Sequence, residues 1–282
     1  MMQREQLVPT VTLNNGVTIP QVGLGVWQAR EGAEVERAVR AALEAGYRLI
    51  DTAAVYGNEA GVGRAIKASG IPREQLFITT KLWNAHHAYA DALRAFERSL
   101  RTLDCGYVDL YLIHWPLPME DRFTEAWKAL EELYRGGQVR AIGVSNFTPR
   151  HLDRLLEAAQ VVPAVNQIEL HPMLQQRATR DYCAQRGVKV ESYSPLMQGG
   201  EVLDHPVVVE LAERHGRTPA QIVLRWHVQS GLIVIPKSVT PARIHENIAL
   251  FDFALGEADM AAIAALDSGR RLGADPDTAQ FK

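Results

Sequence analysis

A chain of 282 residues that is 47% hydrophobic and 22% charged has the make-up of a globular protein with a sizeable core. Its net charge of −3 excludes the strongly basic balance of a nucleic-acid binder or of a polybasic membrane contact. Cys105 and Cys183 lack the spacing partners of a disulfide framework or a thiolate metal cluster, so both are expected to pack as small apolar residues.

The opening stretch "MMQREQLVPT" has no apolar signal core, and no later run approaches the roughly 20 apolar residues of a membrane span. The expectation is a cytoplasmic protein. "VTLNNGVTIP" then places two short alternating runs around Asn15-Gly16, which reads as a β-hairpin capping the main fold. "QVGLGVW" (21–27) reads as a strand. From Gly32 to Ala45, apolar Val35, Ala38, Val39, Ala42 and Leu43 recur at helical spacing. The alternation continues with strand-like runs at 47–50, 77–80, 107–113, 139–144, 164–168, 188–193 and 232–235. Thr148-Pro149 and Thr218-Pro219 signal helix starts, while Gly136-Gly137 and Gly187 signal stops. No linker or repeat interrupts the series.

Eight strand candidates with helical connections predict an α/β fold, a closed (β/α)8 TIM barrel forming a single domain over 1–282. A doubly wound open sheet is the rival arrangement. Its dinucleotide fingerprint is absent, because Gln28 stands where "GLGVWQ" would need the third glycine, and "GVGRAI" also lacks it. No Walker A pattern occurs.

In such a barrel the active site lies at the C-terminal strand ends. The residues there are Trp27, Asp51, Lys81, His114, Ser145 with Asn146, Gln167, Tyr193, and Lys237 with Ser238. Each alone has a structural explanation; all eight together are harder to explain so. Tyr56, in the turn after Asp51, is a suitable proton donor for a carbonyl oxygen that is receiving hydride at its carbon. Its reference pKa is about 10, and lowering that by about two units needs about 2.7 kcal/mol. An ammonium ~4 Å away offers on the order of 4 kcal/mol at an effective dielectric of 20. Lys81 is therefore expected to make Tyr56 more acidic, Asp51 to keep Lys81 charged, and His114 to orient the substrate as a neutral donor or share in proton delivery.

The motifs "GLGVW", "YRLIDTAAVYGNE", "TTKLW", "VDLYLIHWP", "IGVSNF", "NQIELHP", "YSPL" and "IPKS…R…EN" run in order from about Val11 into the C-terminal region. In them the chain resembles the aldo-keto reductases, most closely the bacterial 2,5-diketogluconate and methylglyoxal reductase type. The resemblance implies an NADPH-dependent reductase of aldehydes and ketones, among them 2-oxoaldehydes, diketo sugar acids and aromatic aldehydes. It implies Tyr56 as proton donor, Lys81 and Asp51 as its tuning pair and His114 as the substrate-orienting residue. Ser145, Asn146 and Gln167 would hold the nicotinamide carboxamide and Tyr193 would stack on the ring. Ser194 and Leu196 would follow the pyrophosphate, Lys237, Ser238 and Arg243 would clamp the 2′-phosphate, and Glu246 and Asn247 would lie near the adenine. Gly25, Val26, Trp27, Asp51 and Val239 complete the implied cofactor set. Two cations favour NADPH over NADH, while the acidic Glu246 leaves room for some NADH use.

Trp27, Trp83 and Trp115 would wall an apolar substrate pocket together with Tyr56 and His114. His86 and His87 lack a third metal ligand and read as a solvated helix start, so no metal is expected. Arg270 and Arg271 either attract an acidic substrate or sit in water. The expected partner is a small carbonyl substrate, without nucleic acid or membrane, and the protein is expected to be a monomer. Two rivals stand beside this reading. One is a cofactor-binding barrel with a regulatory or structural role; the other is a cofactor-free hydrolase or isomerase using His114 with Asp51.

Overall fold

The structure is a computed structural model and describes residues 8–281. The first seven residues, which belong to the stretch read above as lacking a signal core, and Lys282 lie outside the described residues. Strands β1 (Thr10–Thr12) and β2 (Thr18–Pro20) pair antiparallel, with Val11 opposite Ile19. The expected hairpin is there. Buried Leu13 and Ile19 pack with Leu49, Phe77, Leu110, Val165 and Ile233, so the hairpin plugs the end of the barrel where the strands begin.

Eight strands follow in parallel: β3 (Gly23–Gly25), β4 (Leu49–Asp51), β5 (Phe77–Leu82), β6 (Val108–Ile113), β7 (Val139–Ser145), β8 (Val165–Glu169), β9 (Lys189–Tyr193) and β10 (Ile233–Val234). Their spatial order is their chain order, and parallel bridges Val22–Val234 and Gly25–Lys237 join the last strand to the first. An open doubly wound sheet would reverse its order midway and leave two edges. This sheet closes.

Two strands are shorter than their apolar runs. β3 stops at Gly25, two residues before Trp27, and β10 stops at Val234, three residues before Lys237. Glycine lets this seam close tightly: a Cβ on Gly25 would lie 3.0 Å from the Ile235 carbonyl oxygen. The helix from Ala33 to Glu44 buries Val35, Ala38, Val39, Ala42 and Leu43, as their spacing predicts. At Thr218 the capping device is reciprocal, with Gln221 N–H on Thr218 Oγ1 and Thr218 N–H on Gln221 Oε1. Both cysteines are free and buried.

Register sets the mouth. Asp51 pairs with Thr79, which puts Lys81 two residues further along β5 on the same inward face. Ser145, Gln167 and Glu191 are level on β7, β8 and β9.

Candidate active site

Tyr56 closes a short 3-10 turn, Ala54–Tyr56, that follows β4. Gly57, at φ 66°, turns the chain out of it in the left-handed region that a side chain would strain. Asn58 anchors the turn: it takes the Thr52 hydroxyl on Oδ1 at 2.7 Å and donates to the carbonyls of Val26 and Ala29. So held, the Tyr56 hydroxyl meets Lys81. Lys81 Nζ donates to Asp51 Oδ1 at 2.6 Å, to the Thr52 carbonyl at 3.0 Å and to Tyr56 Oη at 3.4 Å. These three contacts use all three ammonium hydrogens. The ring of His114 stands edge-on to Tyr56 at 5.7 Å and to Trp83 at 5.4 Å. The structure thus brings together Asp51, Tyr56, Lys81 and His114.

The electrostatics correct one expectation. Burial raises the Tyr56 phenol above its ordinary value; Lys81 pulls it down, Asp51 and Glu191 push it up, and burial prevails. The Lys81 ammonium alone would make the phenol more acidic, but desolvation, which disfavours a phenolate inside the barrel, outweighs it. For Lys81, burial opposes the charge, yet Asp51 and Tyr56 outweigh it and hold the ammonium above its usual range. Burial and the nearby Lys81 hold His114 well below the usual imidazole value. It is neutral at pH 7, as a carbonyl-orienting donor requires.

The amide and hydroxyl residues are tied to one another. Ser145 Oγ donates to the Gln167 carbonyl at 2.8 Å, and Asn146 Nδ2 donates to the His114 carbonyl at 3.0 Å and to Ser145 Oγ at 3.2 Å. Tyr193 Oη donates to Asn146 Oδ1 at 2.8 Å. Asn146 sits at φ 64°, a conformation its short side chain tolerates. Gln167 Nε2 donates to Asp51 Oδ2 at 2.8 Å and to Glu191 Oε2 at 2.9 Å.

Above these groups runs a groove of about 1170 Å³. Every expected cofactor contact lines it except Val26, whose side chain packs into the core behind the mouth. Trp27, Trp83 and Trp115 reach it as expected, with Trp27 43% exposed because the strand ends before it. At the far end stand exposed Lys237 and Arg243, neither in an ion pair among the described residues. Glu246 accepts the Thr218 hydroxyl at 2.7 Å.

Several groups escaped the sequence reading. Phe281 stacks on Trp83 at 6.1 Å and meets Trp115 edge-on at 5.0 Å, held by Asn84 Nδ2 on its carbonyl at 2.8 Å. Nothing local in the tail marks it. Glu169 fixes the same tail from the end of β8 by accepting the N–H groups of Leu272 and Gly273. Glu191 shares the parity of Tyr193 on β9, which is the signal that could have found it. His87 is a correction: it is 2% exposed rather than solvated, and burial lowers it to about 4. No cluster of metal-ligating side chains occurs among the described residues. Arg270 pairs with Glu201 at 2.9 Å.

The family model for the aldo/keto reductase family matches residues 21–268. The chain belongs to that family. It is 50% identical to the glyoxal reductase of Bacillus subtilis (strain 168) over 275 residues, covering 98% of this chain and 99% of that protein. It is 53% identical to the methylglyoxal reductase DkgA of Escherichia coli (strain K12) over 271 residues, 95% of this chain and 98% of that one. Among solved structures, the Gox0644 D53A mutant in complex with NADPH superposes with a TM-score of 0.93 at 47% identity, covering 98% of this chain and 100% of that one. The expected family and barrel are borne out.

Proposed function

We propose that this aldo/keto reductase reduces small aldehydes and ketones to alcohols with NADPH, Tyr56 giving the proton to the carbonyl oxygen. The observation that carries the assignment of Tyr56 is Lys81 Nζ reaching both Asp51 and the Tyr56 hydroxyl beneath an open groove. The groove fits the cofactor chemically: exposed Lys237 and Arg243, in no ion pair among the described residues, suit a phosphate, Tyr193 offers an aromatic face, and Gln167 offers an amide at the mouth. Glu246 is held by Thr218, which leaves the phosphate end to Lys237, Ser238 and Arg243 and favours NADPH over NADH.

When bound, NADPH supplies hydride to the carbonyl carbon. His114, neutral, offers its groove-facing ring edge to the carbonyl oxygen and orients it beside Tyr56. The Tyr56 O–H bond breaks as the oxygen gains charge, and its proton completes the alcohol. Because Tyr56 rests above its ordinary value, the donor is fully protonated across the neutral range. The Lys81 ammonium then faces the phenolate left behind, where a positive charge in a low dielectric counts most. Asp51 keeps that ammonium charged. Trp83, Trp115 and Phe281 give the substrate side an apolar wall and limit access of water.

Small 2-oxoaldehydes and aromatic aldehydes suit this wall, and the similarity to the glyoxal and methylglyoxal reductases supports the first class. We read residues 1–282 as one barrel domain working as a monomer. The free, buried cysteines suit a reducing, cytoplasmic setting, and no described helix is long and apolar enough to cross a membrane. A purely regulatory or structural barrel would have no use for a phenol beside a buried ammonium, and the reductase relatives do not favour it.

The test is NADPH oxidation, followed by absorbance, with methylglyoxal and with a nitrobenzaldehyde. Tyr56→Phe should lower kcat by about 10² to 10⁴ while NADPH still binds, as read by fluorescence. Full activity in that variant would remove Tyr56 as donor.

A further inference from the structure

One buried acid in the barrel takes no part in the proton transfer derived above. Glu191 lies on the inward face of β9, two residues before Tyr193, and is closed off from solvent. Its neighbours in register are Gln167 on β8 and Ile233 on β10. Burying a carboxyl in an apolar barrel is costly unless it is used, and an aliphatic side chain like Ile233 would fill the space without that cost.

The contact it makes is specific. Gln167 is a primary amide with two N–H bonds, and Asp51 Oδ2 and Glu191 Oε2 take one each, at 2.8 and 2.9 Å. Asp51 is ion-paired with Lys81 and can only accept, so the nitrogen end of the amide must face it. A single acceptor would leave the amide free to swing about that bond. The second acceptor fixes its plane and leaves the carbonyl as the end offered to the groove, which Gln167 lines. Glu191 Oε1 has no hydrogen-bond partner among the described residues, so the Gln167 contact is what this acid does in the fold.

We infer that Glu191 is a positioning residue for the cofactor: it locks the Gln167 amide with its carbonyl toward the barrel mouth, where that carbonyl accepts a hydrogen bond from the nicotinamide carboxamide. The inference rests on the proposed reading of Gln167 as a cofactor contact.

A charge consequence follows. The ionisable groups facing Glu191 are Asp51 from β4, Lys81 from β5 and Tyr56 from the turn after β4; Ile233 on β10 brings none. Burial, with the Asp51 charge adding to it, pushes Glu191 up to about 8. At neutral pH it is therefore an uncharged acid, and Lys81 faces one carboxylate. Above about 8, a second negative charge appears one hydrogen bond below the nicotinamide contact. NADP+ carries a positive ring there and NADPH a neutral one, so ionised Glu191 favours NADP+. The ratio Kd(NADP+)/Kd(NADPH) should fall as pH rises through that value. Titration at the 2′-phosphate is common to both nucleotides and cancels in the ratio.

The test is a double-mutant cycle read by fluorescence titration of NADPH, with thermal melting as a check on folding. Glu191→Leu should raise Kd about tenfold, the worth of a hydrogen bond, and Gln167→Ala by a similar factor. The double variant should be no weaker than Gln167→Ala alone, a non-additivity that general loosening of the barrel would not produce. Additive losses, or an unchanged Kd in Glu191→Leu while Gln167→Ala binds weakly, would overturn the inference and leave the reading of Gln167 intact. An unchanged Kd in Gln167→Ala would overturn that reading and the inference with it. Should Glu191→Leu fail to fold, Glu191→Met, unbranched and without a carboxylate acceptor, takes its place in the cycle with the same expected and overturning outcomes. Glu191→Gln, which keeps an acceptor for Gln167, should hold Kd near the native value, and a tenfold rise there would sink the inference.

Discussion

Lys81 Nζ stands 2.6 Å from Asp51 Oδ1, and both side chains are closed off from solvent. Burial acts against the ammonium, and the carboxylate beside it is what keeps it charged. Asp51→Asn should therefore cost twice. An uncompensated buried charge destabilises the fold by roughly 3 kcal/mol. Lys81 also becomes easier to deprotonate, which removes the charge facing the Tyr56 phenolate, so kcat should fall on the order of 10²-fold. Thermal melting and steady-state kinetics read the two effects separately. Native kcat in Asp51→Asn would contradict this account of Lys81.

Lys237 and Arg243 lie at the far end of the groove without ion-pair partners among the described residues. Replacing either by alanine should raise KM for NADPH about tenfold, the scale of a charge-assisted hydrogen bond. KM for NADH, which lacks the 2′-phosphate, should hardly move. The preference should also weaken as salt rises, since both cations are exposed. Equal losses for the two nucleotides would place the cations away from that phosphate.

Phe281 bridges Trp83 and Trp115 at the mouth. An aromatic aldehyde gains from that wall, whereas methylglyoxal is too small to span it. Phe281→Ala should raise KM several-fold, on the order of the energy of one aromatic pair, for a nitrobenzaldehyde and change it little for methylglyoxal. A uniform change for both substrates would show that the tail does not select by ring contact.

His87 is held neutral inside the protein, at about 4, against an ordinary value of 6.5. As pH falls through 6.5, the unfolded chain takes up this proton before the folded one does. The stabilisation is thus fully present above 6.5 and is lost progressively as pH falls toward 4, by roughly 3 kcal/mol in all. Neither ring nitrogen has a hydrogen-bond partner among the described residues, so His87→Leu costs no hydrogen bond seen there. Its melting temperature should decline less steeply between pH 6.5 and 4 than that of the native chain. Parallel pH curves would assign the acid loss to other groups.

Much of the site was legible because its residues sit just past apolar runs. Asp51 closes β4, Lys81 stands next to last in β5 and His114 follows β6, and a parallel barrel gathers such ends at one mouth. The first strand misled by two residues, since its apolar run continues to Trp27 while pairing ends at Gly25. The His86-His87 pair misled more, because a histidine carries no local sign of whether it faces water. Phe281 was invisible for another reason: 197 residues separate it from Asn84, which holds its carbonyl.

The order of apolar runs and helix signals was enough to point to a parallel α/β barrel with a hairpin cap and to the catalytic candidates, because periodicity is a local property of the chain; closure over the rival open sheet came with the bridges between its first and last strands. Tertiary structure alone decided how those candidates behave. Desolvation depends on everything packed around a group, so only the folded barrel sets the phenol of Tyr56 above its ordinary value, keeps His87 dry, and places Glu191 against Gln167.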